Sequence, residues 1–117
     1  MTWEVEGTDQ FEQWYGSLNA DEQERVDYVV AKLEADGPQL RRPAADTVNG
    51  SQFTNMKELR VNTPPIRIFF AFDPRRVAVL LVAGDKTNDP TFYGRMIPIA
   101  DALYAEHLAH LEAEHGD

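Results

Sequence analysis

Two neighbouring β-strand patterns, joined by a four-residue connection, constrain the fold of this chain most strongly. In residues 66–72, large apolar side chains alternate with a second set, as in a strand whose two faces differ. Residues 77–83 form an uninterrupted apolar run, typical of a strand buried on both faces. Asp73-Pro74-Arg75-Arg76 is a tight connection between them. The pair predicts the middle of a mainly antiparallel sheet.

The first third of the chain has the pattern of a short strand followed by two helices. Alternating apolar and acidic residues over 3–6 predict a strand that ends before Thr8, a residue suited to capping a helix. Apolar residues then recur at helical spacing over 11–18. Asn19 begins a second helix, which Gly37-Pro38 ends.

The remaining segments complete the predicted order β-α-α-β-β-β-α. Residues 40–51 are rich in proline, asparagine and glycine and predict a loop, whereas residues 53–61 predict a strand. A turn-rich stretch ends at Asp89-Pro90, and Pro98 stands in the first turn of the last helix. We therefore expect a single α+β domain over residues 1–117, with its two N-terminal helices and its C-terminal helix covering one face of a small, mainly antiparallel sheet.

The charge of the chain is unevenly distributed. The formal net charge of −9 argues, taken whole, against a polyanionic partner. Residues 1–40 carry a net −8 and residues 96–117 a net −5, but residues 41–95 carry a net +4. The basic block coincides with the predicted sheet, so the sequence predicts a small, local anion site on an otherwise acidic protein.

Seven basic side chains and one tyrosine in this block are candidates for that site, and few local acids are available to pair with them. Guanidinium groups bind phosphate oxygens through a planar fork, so the predicted chemistry is phosphate-centred. The candidates are Lys57, Arg60, Arg67, Arg75, Arg76, Lys86, Tyr93 and Arg95.

Strand parity separates some of these candidates. Arg67 projects from the face opposite the apolar set of residues 66–72. Lys57 and Arg60 have opposite parity, so one face can hold both only if a bulge or a strand end intervenes. Arg75 and Arg76 are consecutive turn residues, of which at most one is expected to reach the site.

Several other classes of site lack their signatures. The chain has no cysteine, no glycine-rich phosphate loop, no Gly-x-Ser-x-Gly elbow and no His-Glu-x-x-His pattern. His107 and His110 are three residues apart without carboxylates at ligand spacing, which is weak evidence for a metal. With no signal-like N-terminus and no apolar run longer than seven residues, we expect a soluble cytoplasmic protein with no membrane partner.

The order and spacing of four segments resemble one protein family. The segments are residues 55–60 (NMKELR), 66–76 (IRIFFAFDPRR), 84–86 (GDK) and 97–104 (IPIADALY). Together with the first strand and the proline loop after the second helix, they resemble the phage-derived HigB-type toxins of the RelE/ParE toxin–antitoxin superfamily over nearly the whole chain.

This resemblance implies a function and roles for the candidate residues. It implies a metal-independent endoribonuclease that cuts mRNA on the ribosome and has a cognate HigA-like antitoxin, expected to be of the helix-turn-helix type. The 2′-OH of the substrate would attack the adjacent phosphorus, so the protein has to orient it, stabilise charge and move protons. The resemblance assigns catalysis to Lys57, Arg67, Lys86 and Tyr93. It assigns phosphate binding to Arg60, Arg75, Arg76 and Arg95.

Two alternatives remain open at this point. The superfamily also includes toxins that poison gyrase by binding it, and a fold alone does not define a function. A toxin that folds but is inactive is the second alternative.

Overall fold

The computed structural model describes residues 2–115, with a five-stranded sheet of order β1-β5-β4-β3-β2 at its centre. The elements are β1 (Val5–Gly7), α1 (Asp9–Gly16), α2 (Ala20–Asp36), β2 (Ala45–Thr47), β3 (Lys57–Val61), β4 (Ile66–Phe72), β5 (Ala78–Asp85) and α3 (Phe92–His115). Strands β2 to β5 pair antiparallel, and β1 pairs with β5 in parallel. The predicted α+β class and mainly antiparallel sheet are confirmed.

The helices cover both faces of the sheet, so the prediction that all three lie on one face is wrong. Residues of α1 and α2 pack with the apolar set of β4 in one core cluster. Residues of α3 pack against the opposite face in a second cluster, around Phe69 and Phe92. The physical reason is that β4 and β5 are apolar on both faces, and a sheet with two apolar faces needs two covering layers.

A β-bulge in β5 determines which side chains face α3. Phe69 pairs with Val82 but Phe70 pairs with Leu80, so Leu81 is an extra residue in the register. Leu81 and Val82 consequently both pack in the α3 cluster, whereas Ala83 returns to the other one. The Thr8 side chain donates a hydrogen bond of 2.6 Å to the Leu81 carbonyl at the bulge. After this change of parity, Gly84 faces α3.

Two strand predictions need correction. Residues 45–47, predicted within a loop, form the edge strand β2 beside β3. The strand predicted over 53–61 begins at Lys57, because residues 53–55 form a turn and the Ser51–Phe53 segment is fixed to α3 through Asp101. A three-residue edge strand has too few side chains to show a period, which explains its absence from the prediction.

The last helix begins at Phe92, six residues earlier than predicted, so Pro98 lies inside it. Asp89 receives hydrogen bonds from the Thr91 and Phe92 backbone at the start of the helix. Four buried side chains of the helix recur every four residues from its first residue: Phe92, Met96, Ala100 and Tyr104. Because these side chains pack against β4 and β5, the first turn of α3 and its polar residues lie over these two strands.

The predicted starts and end of the N-terminal helices are confirmed. Thr8 accepts a hydrogen bond from the Phe11 backbone at α1, and Asn19 forms a reciprocal capping box with Glu22 at α2. Gly37 ends α2 at a φ of 59°, where an added Cβ would lie 2.5 Å from the Trp3 ring. Within the described residues, no helix is long and apolar enough to cross a membrane.

Candidate active site

Three neighbouring strands bring polar side chains into one row on the α3 face of the sheet. Arg60, Arg67 and Gly84 are successive cross-strand partners on β3, β4 and β5. Glu58 lies two residues before Arg60 and therefore on the same face. Tyr93, in the first turn of α3, reaches this row from above. The site thus depends on strand register and on the early start of α3.

The Glu58 carboxylate lies at the centre of the row. Its residue is 3% exposed, and its Oε2 accepts hydrogen bonds from Arg60 Nε at 3.1 Å and Nη2 at 3.0 Å. Its Oε1 accepts one from the Tyr93 hydroxyl at 2.9 Å. A buried carboxylate that receives this many donors is held in one orientation, which is a requirement for a group that removes a proton from a bound substrate.

Arg67 lies behind this carboxylate and is 8% exposed. Its Nη1 donates to the Val61 and Ile66 carbonyls at 3.1 and 3.0 Å. Its Nε lies 4.0 Å from Glu58 Oε1 and has no hydrogen-bond partner. A buried donor of a charged group without a partner is costly, and the nearby Glu58 carboxylate offsets part of that cost by its opposite charge.

The Tyr93 hydroxyl is held in its protonated form. Burial raises the pKa of Tyr93 above its ordinary value, and the hydrogen bond to the Glu58 carboxylate raises the pKa further, although Arg67 opposes both effects. Tyr93 therefore carries a proton at neutral pH and is suited to donate it rather than to accept one.

Lys86 follows β5 and lies beside the tyrosine. Its Nζ is 5.8 Å from the centroid of the Tyr93 ring, and its backbone N–H donates to the Pro65 carbonyl at 3.0 Å. Among residues 2–115, Lys86 has no carboxylate within ion-pair distance. It brings a positive charge to the mouth of the site without an internal counterion.

Glu58, Arg60 and Tyr93 border a cavity of about 400 Å³, which we call the tyrosine pocket. It is lined by Arg42, Asp46, Thr47, Val48, Asn49, Glu58, Arg60 and Tyr93. The pocket therefore combines two arginines, two carboxylates and an aromatic ring. Such a set can hold a phosphate, stack on a base and exchange protons.

The other predicted site residues lie elsewhere. Lys57 has the parity of Leu59, which packs in the α1–α2 cluster, so the regular register of β3 puts it on the face opposite Arg60. Arg76 lies over the Trp3 ring, 5.4 Å from its centroid. Arg95 forms an ion pair with Asp89 at the start of α3. Of the predicted candidates, the structure brings together Arg60, Arg67, Lys86 and Tyr93.

Arg75 belongs to a separate network around Asp73. The buried Asp73 carboxylate accepts two hydrogen bonds from the Arg75 guanidinium, at 3.0 and 2.8 Å, and lies 2.8 Å from His107 Nε2. Arg75 also reaches Glu6 at 2.9 Å. Burial by itself raises the pKa of Asp73, but the hydrogen bonds from His107, Arg75 and the Val77 N–H outweigh it and lower that pKa.

Within residues 2–115, no cluster of metal-ligating side chains is found.

The prediction that few acids pair with these cations is wrong. The basic block has five acidic residues, and four of them form ion pairs with arginines: Asp46, Glu58, Asp73 and Asp89. Glu58 and Asp46 were not among the candidates. One signal for Glu58 was available, because a residue two positions before Arg60 on a strand must share its face.

Comparison with solved structures identifies the fold. A structure of the isolated RelE toxin of E. coli superposes with a TM-score of 0.62 at 8% identity, over 83% of this chain and 98% of that one. The RelE chain of the archaeal RelE–RelB complex from Pyrococcus horikoshii gives a TM-score of 0.59 at 18% identity, over 74% of this chain and 97% of that one. The fold is therefore that of the RelE-like toxins.

Sequence comparison places the chain more narrowly. The profile of the phage-derived Gp49-like proteins matches residues 13–105. HigB3 of Mycobacterium tuberculosis is 48% identical over 108 residues, which is 92% of each chain. The chain belongs to this phage-derived Gp49-like family and is a toxin of the HigB type, from a toxin–antitoxin system.

Proposed function

We propose that this toxin is a metal-independent endoribonuclease that cuts mRNA on the ribosome. The observation that carries the proposal is the buried Glu58 carboxylate, held between Arg60 and Arg67 with the Tyr93 hydroxyl 2.9 Å away. A base, an acid and phosphate-binding cations are what RNA cleavage by an internal hydroxyl requires.

In the proposed reaction the substrate supplies the nucleophile. Glu58 accepts the proton of the ribose 2′-OH while the 2′-oxygen forms a bond to phosphorus. The bond from phosphorus to the 5′-oxygen breaks, and Tyr93 gives its proton to that leaving oxygen. The products are a 2′,3′-cyclic phosphate and a 5′-OH. The hydrogen bond between Tyr93 and Glu58 then returns the proton from the carboxyl to the phenolate, which restores both groups.

The cations have separate parts in this scheme. Arg60 exchanges its contact with Glu58 for a phosphoryl oxygen, and Lys86 stabilises the charge that develops beside Tyr93. Arg67 orients Glu58 from behind through the opposite charges of the two groups. The remaining candidate arginines have no part in the chemical step, because each is engaged outside the tyrosine pocket: Arg75, Arg76 and Arg95.

We also propose partners and a location that follow from the family. The P. horikoshii RelE is found in complex with RelB. By analogy this toxin binds a cognate antitoxin, of the HigA-like helix-turn-helix type, and works in the cytoplasm, where ribosomes supply its mRNA. The acidic surfaces of the chain give little long-range attraction for free RNA, which is consistent with delivery of the substrate by the ribosome.

Inducible expression with mapping of RNA 5′ ends, with and without active translation, tests the proposal. New 5′ ends within coding regions are expected when translation is active, and they should disappear with Glu58→Gln or Arg67→Ala. Lys32→Ala removes one positive charge from α2 and should leave cleavage unchanged. Growth inhibition through loss of gyrase supercoiling, without new RNA ends, would overturn the proposal.

A further inference from the structure

A second basic cluster lies on the other side of the edge strand β2 from Glu58. It consists of Arg41, Arg42 and Lys57, and we call it the β2-edge cluster. Lys57 is the register partner of Thr47 at the end of β2, and the two arginines precede that strand in sequence. The cluster borders a cavity of about 340 Å³ that Leu40, Ala45, Asp46 and Thr47 complete.

This cavity and the tyrosine pocket are two parts of one groove. Arg42, Asp46 and Thr47 line both of them. Strand β2 is three residues long and has no neighbour on its outer side within the described chain, so a ligand can pass around this edge from one cavity to the other. The groove runs from Tyr93 on one face of the sheet, over β2, to Lys57 on the other.

The contacts of Asp46 join the two halves electrostatically. Its Oδ2 accepts from Arg42 Nε at 3.0 Å and from Arg60 Nη2 at 3.3 Å, and its Oδ1 accepts from the Thr47 N–H at 2.9 Å. One carboxylate therefore contacts both Arg60 of the tyrosine pocket and Arg42, which lines both cavities. The Arg42 side chain is 76% exposed, so it can turn toward either half.

The cluster has more positive charge than its carboxylate balances. Among residues 2–115, neither Arg41 nor Lys57 has a carboxylate within ion-pair distance, whereas Arg42 has Asp46. A local positive excess on a chain with a net charge of −9 is selective for an anion that reaches this groove. A groove that offers cations at both ends and an aromatic ring at one end suits a linear polyanion with bases better than a single small anion.

We propose that the β2-edge cluster binds the phosphodiester backbone of single-stranded RNA, next to the nucleotide held in the tyrosine pocket. This inference rests on the proposed ribonuclease function. It assigns Lys57 to binding of a neighbouring phosphate instead of to the chemical step. The RNA strand crosses β2, with its reacting phosphate at Arg60 and a further phosphate at Arg41 and Lys57.

An NMR titration of the full chain with two uncleavable probes tests this inference. The probes are a 2′-O-methyl RNA dinucleotide, which is long enough to fill the tyrosine pocket, and a 2′-O-methyl RNA hexanucleotide. Both should shift the amide signals around Glu58 and Tyr93. The hexanucleotide alone should also shift those of residues 41–47 and Lys57.

A matched pair of double variants separates site binding from general charge. Arg41→Ala/Lys57→Ala and Arg25→Ala/Lys32→Ala each remove one arginine and one lysine. The first removes two phosphate-binding side chains, so it should reduce the slope of log K against log salt for the hexanucleotide by about 1.4, since each phosphate neutralised on a single strand contributes about 0.7. Dinucleotide affinity should not change, and the second variant should match the unmodified protein.

The outcomes distinguish the inference from the function on which it rests. If the hexanucleotide perturbs the tyrosine pocket but leaves residues 41–47 and the salt slope of Arg41→Ala/Lys57→Ala unchanged, the inference is wrong and the ribonuclease proposal stands. If neither probe perturbs Glu58 and Tyr93, and the unmodified toxin produces no new RNA ends, both the inference and the proposed ribonuclease function are wrong. If an acidic peptide of the same charge produces the same shifts and slope as the hexanucleotide, the cluster is a protein-binding site and the inference is overturned.

Discussion

The Tyr93 hydroxyl donates a 2.9 Å hydrogen bond to Glu58 Oε1, which links the first turn of α3 to the centre of β3. The two residues are 35 positions apart in sequence, and both are at least partly buried. The bond keeps a proton between the two groups that the proposed reaction uses as acid and base. Its strength can be measured without any substrate.

The ionisation of Tyr93 should report on Glu58. Because burial and the Glu58 carboxylate both raise the pKa of Tyr93, its absorbance change on ionisation should occur above pH 10. Glu58→Gln removes the negative charge and should lower this pKa toward its ordinary value. Ultraviolet titration measures the shift, and Tyr93→Phe identifies which of the four tyrosines is responsible. An unchanged titration in Glu58→Gln would show that the hydrogen bond does not govern the phenol.

Glu58→Gln should reduce RNA cleavage by about 10² to 10⁴-fold, the usual contribution of a general base. The amide keeps the size of the side chain but no longer accepts a proton. The single-turnover rate on ribosomes carrying a defined mRNA measures the effect, and the melting temperature shows whether the variant is folded. Cleavage within about threefold of the unmodified toxin would exclude Glu58 as the base.

The two lysines assigned to catalysis by family resemblance should behave differently. Lys86 lies beside the Tyr93 ring, whereas Lys57 lies on the opposite face of the sheet. Lys86→Ala should lower the single-turnover cleavage rate at saturating enzyme by about tenfold or more, because a charge close to the leaving oxygen is removed. Lys57→Ala should leave this saturating rate unchanged. It should raise the enzyme concentration at which cleavage reaches half of the saturating rate. The reverse result would return Lys57 to the chemical step.

The sequence predicted the sheet and the N-terminal helices well because their signals are local. Alternation over residues 66–72 and the caps Thr8 and Asn19 each depend on neighbours a few positions away. The start of α3 was missed because Asp89-Pro90 and Gly94 suggest turns, although the four-residue stripe that begins at Phe92 was present. The turn-forming residues indicate a later start for this helix than the spacing of its apolar residues does.

The candidate site could be predicted only in part, since its composition depends on contacts between distant segments. Parity correctly separated Lys57 from Arg60. The pairing of Glu58 with Tyr93, in contrast, requires the register of β3 and the placement of a helix on the opposite face from α1 and α2. No short pattern in the sequence contains that information.

Gly84→Ala should disturb the site by displacing Phe92, the neighbour of Tyr93 in α3. A Cβ at this position would lie 3.0 Å from Phe92 Cε1, so the ring and the first turn of α3 would have to move. We expect a loss of about 1 to 3 kcal/mol in the free energy of unfolding, as for other overpacked cores, together with slower cleavage as Tyr93 shifts. Gly16→Ala, where a Cβ meets nothing within 4 Å, is the matched control and should leave both properties unchanged or raise stability slightly. Equal stability of the two variants would contradict the packing argument.

Asp73→Asn should destabilise the protein in a pH-dependent way. The Asp73 carboxylate is hydrogen-bonded to Arg75 and His107. Its removal should therefore lower the free energy of unfolding by about 1 to 3 kcal/mol at pH 7. The pKa of Asp73 is lowered on folding, and its contribution is therefore present above the unfolded pKa and is lost as the pH falls through the folded one. Urea unfolding should show a clear difference between the variant and the native chain at pH 6, and a smaller one at a pH below 3.8, the ordinary pKa of an aspartate. A difference that is the same at both values would exclude ionisation of Asp73 as the cause.

The extra residue in β5 makes the length of that strand part of the site. Every position after Leu81 owes its orientation to it, including Gly84 under Phe92 and the path of the chain to Lys86. Deleting one residue between Val79 and Val82 would reverse that orientation while leaving every polar side chain of the tyrosine pocket intact. A related toxin with one residue fewer in this strand would therefore need another way of orienting the residues that follow Leu81.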